Sequence, residues 1–408
     1  MYRFFYLTTH YPGLNTKNMT SENVQTHGLS FDLTEDQQLI RDSVKDFVER
    51  YVAPGVLERD EQKKFPHDLI EAMREMNLLG MYHEEKYGGG GTDVVSFVLA
   101  LEEIARWDAS LALTVGSHTS LCSGHIAIAG TDEQKKKYLT PLASGEVLGG
   151  WGLTEPGSGS DASGMKTTAE FKNGKWILNG SKMFITQGSV GKIFVILALT
   201  EPKLGAKGIS AFIVESGWKG FSHGPKIKKL GMNSSDTVAL YLDNVEVPEE
   251  NLLGELNHGF IDTMKVLDGG RVGIGALGVG ITRGALEESI KYSKERQQFG
   301  KPIGKNQAIQ WKLVDMKSKY EAARLLVLRA AWLRDQGKSY TEEAALAKLY
   351  ASEAATQSSL DAIQIHGGYG YTKEYHVERF LRDAKLLEIG EGTSEVQRII
   401  IARDLLKD

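Results

Sequence analysis

The strongest constraint on the fold is the order in which the hydrophobic period changes along the chain: helical, then strand, then helical again. From residue 29 to 146 apolar residues recur at helical spacing. "LTEDQQLIRDSVKDFVERYVAP" has Thr34 as N-cap, Gln37 three residues on, Ile40, Val44, Phe47 and Val48 on one face, and Pro54 as a stop. Residues 147 to 258 carry short β-branched and aromatic runs instead, "KIFVILALT", "GISAFIVES" and "TVALYLDNVEV", bounded by Gly, Asp or Pro. "TTAEFKNGKWILNGSK" reads as two strands joined by Asn173-Gly174, the pair that favours a tight hairpin. From 259 to 408 the helices return and lengthen. In "QAIQWKLVDMKSKYEAARLLVLRAA" the positions Ile309, Leu313, Met316, Tyr320, Ala323 and Val327 keep one face, as a bundle helix requires. The spacing predicts an α+β multidomain protein: an N-terminal all-α domain, a middle antiparallel β domain and a C-terminal four-helix bundle. The lack of a βαβ succession argues against a Rossmann-type nucleotide domain.

Composition narrows the function classes. A chain of 408 residues, 41% of them hydrophobic, can fill two or three cores. The net charge of −5 and the lack of a basic run interleaved with aromatics make nucleic acid a poor partner. The single cysteine, Cys122, excludes an intrachain disulfide and a cysteine-built metal site, and fits a reducing compartment. No metal is expected, since His366 and His376 have no ligand spacing and read as structural. No segment approaches the roughly 18 apolar residues of a membrane span, so the chain reads as soluble, cytoplasmic in a bacterium or in the mitochondrial matrix of a eukaryote. Residues 1 to 28 lack the composition of a secretory signal or transit peptide and read as a disordered tail, with Met19 as an alternative start. "GGGG" at 88 to 91 lacks the Lys-Ser/Thr of a P-loop and reads as a flexible connector.

Four stretches could carry chemistry. In "WGLTEPGSGSDASG", 151 to 164, Gly157 and Gly159 allow close backbone approach beside the hydroxyls of Thr154, Ser158 and Ser160, although such loops are also linkers. In "SKMFITQG", Phe184 and Thr186 fall on one side of a strand, a stacking ring and a donor, or a core phenylalanine. "RQQFGKPIGKNQAIQ" sets Arg296 near Phe299 at a helix end, able to hold a pyrophosphate and an adenine, or simply an interhelix loop. The last stretch, 364 to 398, gathers glycines, Arg379, Arg382 and Asp383 before "LLEIGEGTSEVQR". There Ser394 with Gln397 reads as a capping box, and Glu395 suits a helix N-terminus. Glu388 is either surface or packing. Glu391, between Gly390 and Gly392, reads on its own as a solvated loop carboxylate.

"GLTEPGSGSD", "RQQFGKPI", "QIHGGYGYTKEYHVERFLRDA" and "EGTSEVQR", in this order and at these separations, resemble the acyl-CoA dehydrogenases, of the short-chain, butyryl-CoA dehydrogenase-like kind. The resemblance runs from Phe31 onward. It implies the same helical, β and helical domains, one FAD per subunit and a homotetramer built as a dimer of dimers.

By that resemblance Trp151, Gly152, Leu153, Thr154, Glu155, Pro156, Gly157, Ser158, Gly159 and Ser160, with Phe184, Ile185 and Thr186, line the flavin. Arg296, Phe299 and Gln307, together with Gln364, Ile365, His366, Gly367 and Gly368 from another subunit, hold the diphosphate and adenine. Thr393, Ser394 and Glu395 add the free N–H groups of a helix N-terminus. Many relatives carry tryptophan where this chain has Phe184. Asp268, Gly269, Gly270, Arg271, Ser160 and Gly392 contact the acyl-CoA.

The implied reaction removes an α proton and a β hydride from an acyl-CoA thioester to give the trans-2-enoyl-CoA, with electrons passing to electron-transfer flavoprotein. The base of the Glu-Gly-Thr motif maps to Glu391. Isovaleryl-type and long-chain members place it instead just before an arginine matching Arg271, and that position is Gly270 here. Burial should raise the Glu391 pKa on substrate binding and outweigh the helix N-terminus. The Glu391 backbone N–H and a flavin hydroxyl would polarise the thioester carbonyl. Ala112 stands near where glutaryl-CoA dehydrogenases carry an arginine, which disfavours a dicarboxylate. Short or medium straight acyl groups, or short branched ones, are expected. The alternatives are an acyl-CoA oxidase using oxygen, a non-catalytic scaffold, and a nucleic-acid-binding relative.

Overall fold

The computed structural model describes residues 32–407, so the expected tail and the alternative start at Met19 lie outside the described residues. The N-terminal region holds α1 (Glu35–Phe47), α2 (Val56–Gln62), α3 (His67–Glu75), α4 (Val94–Ala105), α5 (Ala109–Ser117), α6 (Gly124–Ala129) and the single turns α7 (Asp132–Gln134) and α8 (Thr140–Ala143). Thr34 and Gln37 close α1 with the reciprocal bonds of a capping box, and Val44, Phe47 and Val48 are buried as their spacing predicts. Helix α4 is apolar around most of its circumference, and all of its residues are buried. It is the central element of this layer rather than an amphipathic surface helix. The glycines at 88 to 91 are not a flexible connector. Gly90 N–H donates to Gly80 O at 3.0 Å and Gly91 N–H to His83 O at 3.0 Å, and a Cβ at Gly89 would lie 2.2 Å from His83 O. They fold back on the chain before α4.

The middle region is one eight-stranded sheet: β1 (Gly149–Gly152), β2 (Thr168–Lys172), β3 (Lys175–Thr186), β4 (Ile193–Leu199), β5 (Ile209–Glu215), β6 (Phe221–His223), β7 (Thr237–Pro248) and β8 (Leu252–Leu253). Asn173 and Gly174, both at positive φ, form the hairpin between β2 and β3. The sheet is mixed rather than purely antiparallel. β1 runs parallel to β4, because the β2–β3 hairpin intervenes between them in sequence, and β2 meets the end of β4 in parallel.

The C-terminal region has five helices rather than four: α9 (Gly259–Glu295), α10 (Gln307–Asp335), α11 (Thr341–His366), α12 (Val377–Leu387) and α13 (Ser394–Leu405), with a two-residue ribbon of β9 (Gln297–Gln298) and β10 (Lys301–Pro302) after α9. α9 has 37 residues, about 55 Å of helix. It packs on α4, α5, α10 and α11, and close approach needs bare backbone. A Cβ at Gly278 would lie 2.7 Å from Ala351 O, and one at Gly284 2.4 Å from Arg106 O. Arg379 and Asp383, which looked available for chemistry, are structural. Asp383 pairs with Arg379 at 3.2 Å and accepts from Met232 N–H, while Arg379 donates to Trp107 O, so α12 is tied to the sheet and to the N-terminal layer.

Candidate active site

The turn from α12 to α13 carries the Glu-Gly-Thr motif at 391 to 393. Glu388 caps α12 and accepts from Lys385 Nζ at 2.6 Å and from the Thr356 hydroxyl, so it is a packing residue. Glu391 and Gly392 then take φ of +53° and +92°, a reversal in which the non-glycine residue is strained. Thr393, not Ser394, is the N-cap of α13. Its backbone is extended and its hydroxyl accepts from Val396 N–H at 3.3 Å, whereas Ser394 is already helical. Gln397 is therefore no capping-box partner. Its amide donates to Gly392 O at 2.9 Å and Glu391 O at 3.4 Å, pinning the reversal.

Lys348 on α11, fully buried, donates from Nζ to Gly392 O at 2.7 Å. Nothing in the sequence singles it out, since a lysine inside a long helix reads as a solvated one. The Glu391 side chain runs toward α9, where a Cβ at Gly270 would lie 2.0 Å from Oε2. That oxygen is buried and has no hydrogen-bond partner. Burial pushes the carboxyl up to about 7, with Lys348 and then Arg271 pulling it down. Burial also lowers the Lys348 ammonium to about 8, against the attraction of Glu391. Desolvation thus outweighs the cations before any substrate arrives.

Glu391 lines a narrow cleft between α5, with the wide turn His118–Ser123 that continues it, and α9. Leu113, Gly116, Ser117, Ser120, Gly270, Gly273, Ile274 and Leu277 line the rest. Ala112 is fully buried in α5. Beside the cleft Arg271 pairs with Asp268, which also accepts from the Thr341 hydroxyl at 2.6 Å, and both side chains are largely buried. Gly269 faces Arg334 instead.

The loop 151 to 160 divides into anchors and an open side. Trp151 donates from Nε1 to His125 Nδ1 at 3.1 Å, and Gly152 and Leu153 are buried. Glu155 is an anchor, accepting from buried Lys182 Nζ at 2.7 Å and from Lys166 and Thr167 N–H. Ser158 turns inward to Asp161 O. Pro156, Gly157, Gly159 and Ser160 are exposed, with Thr154 partly so, and a Cβ on either of the two glycines would meet nothing within 4 Å. In β3 a register shift between Lys182 and Ile185 interrupts the alternation, and Phe184 takes φ of +60° with its ring 63% exposed. It is not a core phenylalanine. Thr186 is partly exposed, while the Ile185 side chain is in the sheet core.

Arg296 and Phe299 follow the far end of α9. The Arg296 guanidinium lies 5.6 Å over the ring of Tyr369, and Phe299 is 95% exposed. Gln307, Gln364, Gly367 and Gly368 are exposed; Ile365 is core, and His366 stacks on Tyr292 at 4.2 Å. These groups form a single block at one end of the bundle. Along α9 it is about 39 Å from Gly270 and the Glu391 carboxylate.

Residues 34–146, 150–245 and 257–406 match the models of the acyl-CoA dehydrogenase N-terminal, middle and C-terminal domains. The chain belongs to the acyl-CoA dehydrogenase family. It is an FAD-dependent oxidoreductase of CH–CH bonds. It is 49% identical to an acyl-CoA dehydrogenase of Bacillus subtilis over 92% of this chain and 99% of that one. The solved structure of butyryl-CoA dehydrogenase from Megasphaera elsdenii superposes with a TM-score of 0.92 at 46% identity, covering 93% of this chain and all of that one. An acryloyl-CoA reductase (NADH) of Anaerotignum propionicum is 44% identical over 93% of this chain and 96% of that one. So the acyl-CoA dehydrogenase fold hosts proteins named for either direction of the CH–CH reaction.

Proposed function

We propose that this acyl-CoA dehydrogenase converts a short- or medium-chain acyl-CoA, straight or short-branched, to its trans-2-enoyl-CoA with Glu391 as the α-proton base, and passes the electrons to electron-transfer flavoprotein. The observation that carries the reading is the Glu391 carboxylate. It is buried in the lining of an apolar cleft, one oxygen is unpartnered, and its pKa of about 7 leaves it both ionised in part and basic enough to accept a carbon-bound proton. An uncharged acyl chain suits the rest of the lining, which has no cation to meet a distal carboxylate.

The open side of the 151 to 160 loop and the outward Phe184 ring fit a flat ligand, and FAD, when bound, supplies the hydride acceptor. The Thr393-capped end of α13 offers N–H groups to its diphosphate. The reach of about 39 Å to Arg296 and Phe299 is more than a dinucleotide spans. A second copy therefore completes each cofactor site, which supports at least a dimer, and we propose the homotetramer as a pair of such dimers. Lys348 and Gln397 hold the reversal that aims Glu391. The Glu391 backbone N–H polarises the thioester carbonyl, so the enolate forms against a fixed donor.

Anaerobic bleaching of the flavin by a series of acyl-CoAs tests the reading. Bleaching by butyryl-CoA, lost in Glu391→Gln with FAD retained, is the expected result. No bleaching by any ester would overturn the dehydrogenase reading, and undiminished bleaching in Glu391→Gln would move the base elsewhere. Reduction of an enoyl-CoA by the reduced enzyme is the same chemistry reversed, and the likeness to the acryloyl-CoA reductase favours measuring it too.

A further inference from the structure

Glycine inside a helix costs about 1 kcal/mol relative to alanine, so each needs a reason. In the middle of α9 the reason is mostly contact. A Cβ at 270, 275, 278, 280 or 284 would come within 2.9 Å of a neighbouring atom. Gly273 is different: the nearest atom is Leu101 Cδ1, at 3.7 Å. Gly116, across the cleft on α5, is the same case, with Leu101 Cδ1 at 3.8 Å and Cδ2 at 4.0 Å. Both positions have room for a methyl. Both line the same cleft as Glu391, and both look at the same fully buried leucine of α4.

We propose that Leu101, seen through the paired glycines Gly116 and Gly273, is the floor against which the end of the acyl chain rests, and that it restricts the enzyme to short straight acyl groups. This rests on the reading that the cleft receives an acyl-CoA. Gly273 is three residues along α9 from Gly270, about 4.5 Å and just under one turn, so a chain whose α-carbon is at Glu391 reaches this level within a few carbons. The two glycines leave a slot the width of two missing methyl groups. Leu101, on α4 behind them, is the nearest group to both. Ser117 and Ser120 line the cleft too, but their hydroxyls are spent on Gln187 Oε1 and Gly116 O, so Leu101 is the group that both glycines face.

The test uses the flavin-loaded enzyme with butyryl-, hexanoyl-, octanoyl- and decanoyl-CoA, read in two ways: the rate of anaerobic bleaching and the rise in melting temperature on binding. Gly116→Ala and Gly273→Ala fill the slot by ordinary van der Waals contact and favour the helix, so both should fold. Each should depress the response to hexanoyl- and octanoyl-CoA about tenfold relative to butyryl-CoA. Leu101→Ala should do the opposite, raising the octanoyl to butyryl ratio about tenfold. Should it fold poorly, the glycine variants alone decide. Chain-length profiles in both glycine variants that match the parent protein in bleaching and in thermal shift would overturn the proposal. Bleaching absent throughout, with thermal shifts that still change with chain length as expected, would overturn the dehydrogenase reading and leave the floor standing.

Discussion

At the scale of single residues, the Glu391 carboxylate is subject to two opposed influences. Burial drives the Glu391 pKa to about 7, and Lys348 and Arg271 restrain it. Proton abstraction needs the ionised form, so kcat/KM for flavin reduction should rise with pH and level off above about 7. Lys348→Met removes the larger restraint. The same profile should then inflect about one unit or more higher, with the plateau reached only in alkaline solution. An unmoved inflection would show that the ammonium acts on the turn alone. Stopped-flow reduction by butyryl-CoA across pH checks both. Of this site the sequence makes Glu391 and Gly270 legible through motif resemblance. Lys348 and Gln397 are not, because their roles depend on the reversal at Glu391 and Gly392 bringing distant carbonyls to them. The sequence does not choose between Thr393 and Ser394 as the cap for a similar reason: both residue types cap well, and only backbone geometry selects one.

Between elements, the helices α4, α9 and α10 are joined by charge as well as by apolar contact. Glu102 of α4 accepts from Arg324 Nε at 2.9 Å, Arg283 Nη1 at 3.3 Å and the Tyr320 hydroxyl at 2.8 Å, while Glu103 takes a second bond from Arg283 at 2.6 Å. Glu102 is 4% exposed. Glu102→Leu would strip Arg324 of its carboxylate partner while Arg283 keeps Glu103 and Glu287, and equilibrium unfolding in urea should show a loss of about 3 kcal/mol or more. A loss under 1 kcal/mol would mean that water or a neighbour replaces the carboxylate. The element order was legible from period alone, because 3.6 and 2 residue repeats survive in long segments. The parallel pairing of β1 with β4 was not, since strand neighbours are chosen by tertiary packing. The turn of glycines before α4 was misread because composition reports the backbone freedom of glycine and not its contacts.

For the whole molecule, the proposed function together with the separation along α9 between Gly270 and Arg296 predicts that the two halves of the cofactor site in one chain serve different cofactors. Two disabled variants should therefore repair each other. Glu391→Gln lacks the base and keeps the adenine end; Arg296→Ala with Phe299→Ser does the reverse. Each alone should be inactive, and a refolded equal mixture should recover roughly a quarter of parental activity, the share of sites pairing one intact half from each. No recovery in a mixture shown by native mass spectrometry to contain hybrids would place the whole site within one chain.

Gly270 has a consequence for the carboxylate it faces. The carboxylate of Glu391 occupies the volume that any side chain at 270 would claim, and a first added carbon already falls 2.0 Å from it. The two positions at which the family keeps its base thus compete for one volume. A side chain gained at 270 would push on the movable end of the Glu391 side chain and swing its carboxylate away from the place it now holds. On the proposed function, the aim of the base at 391 is therefore set in part by the bare backbone at 270, more than a hundred residues away in the sequence.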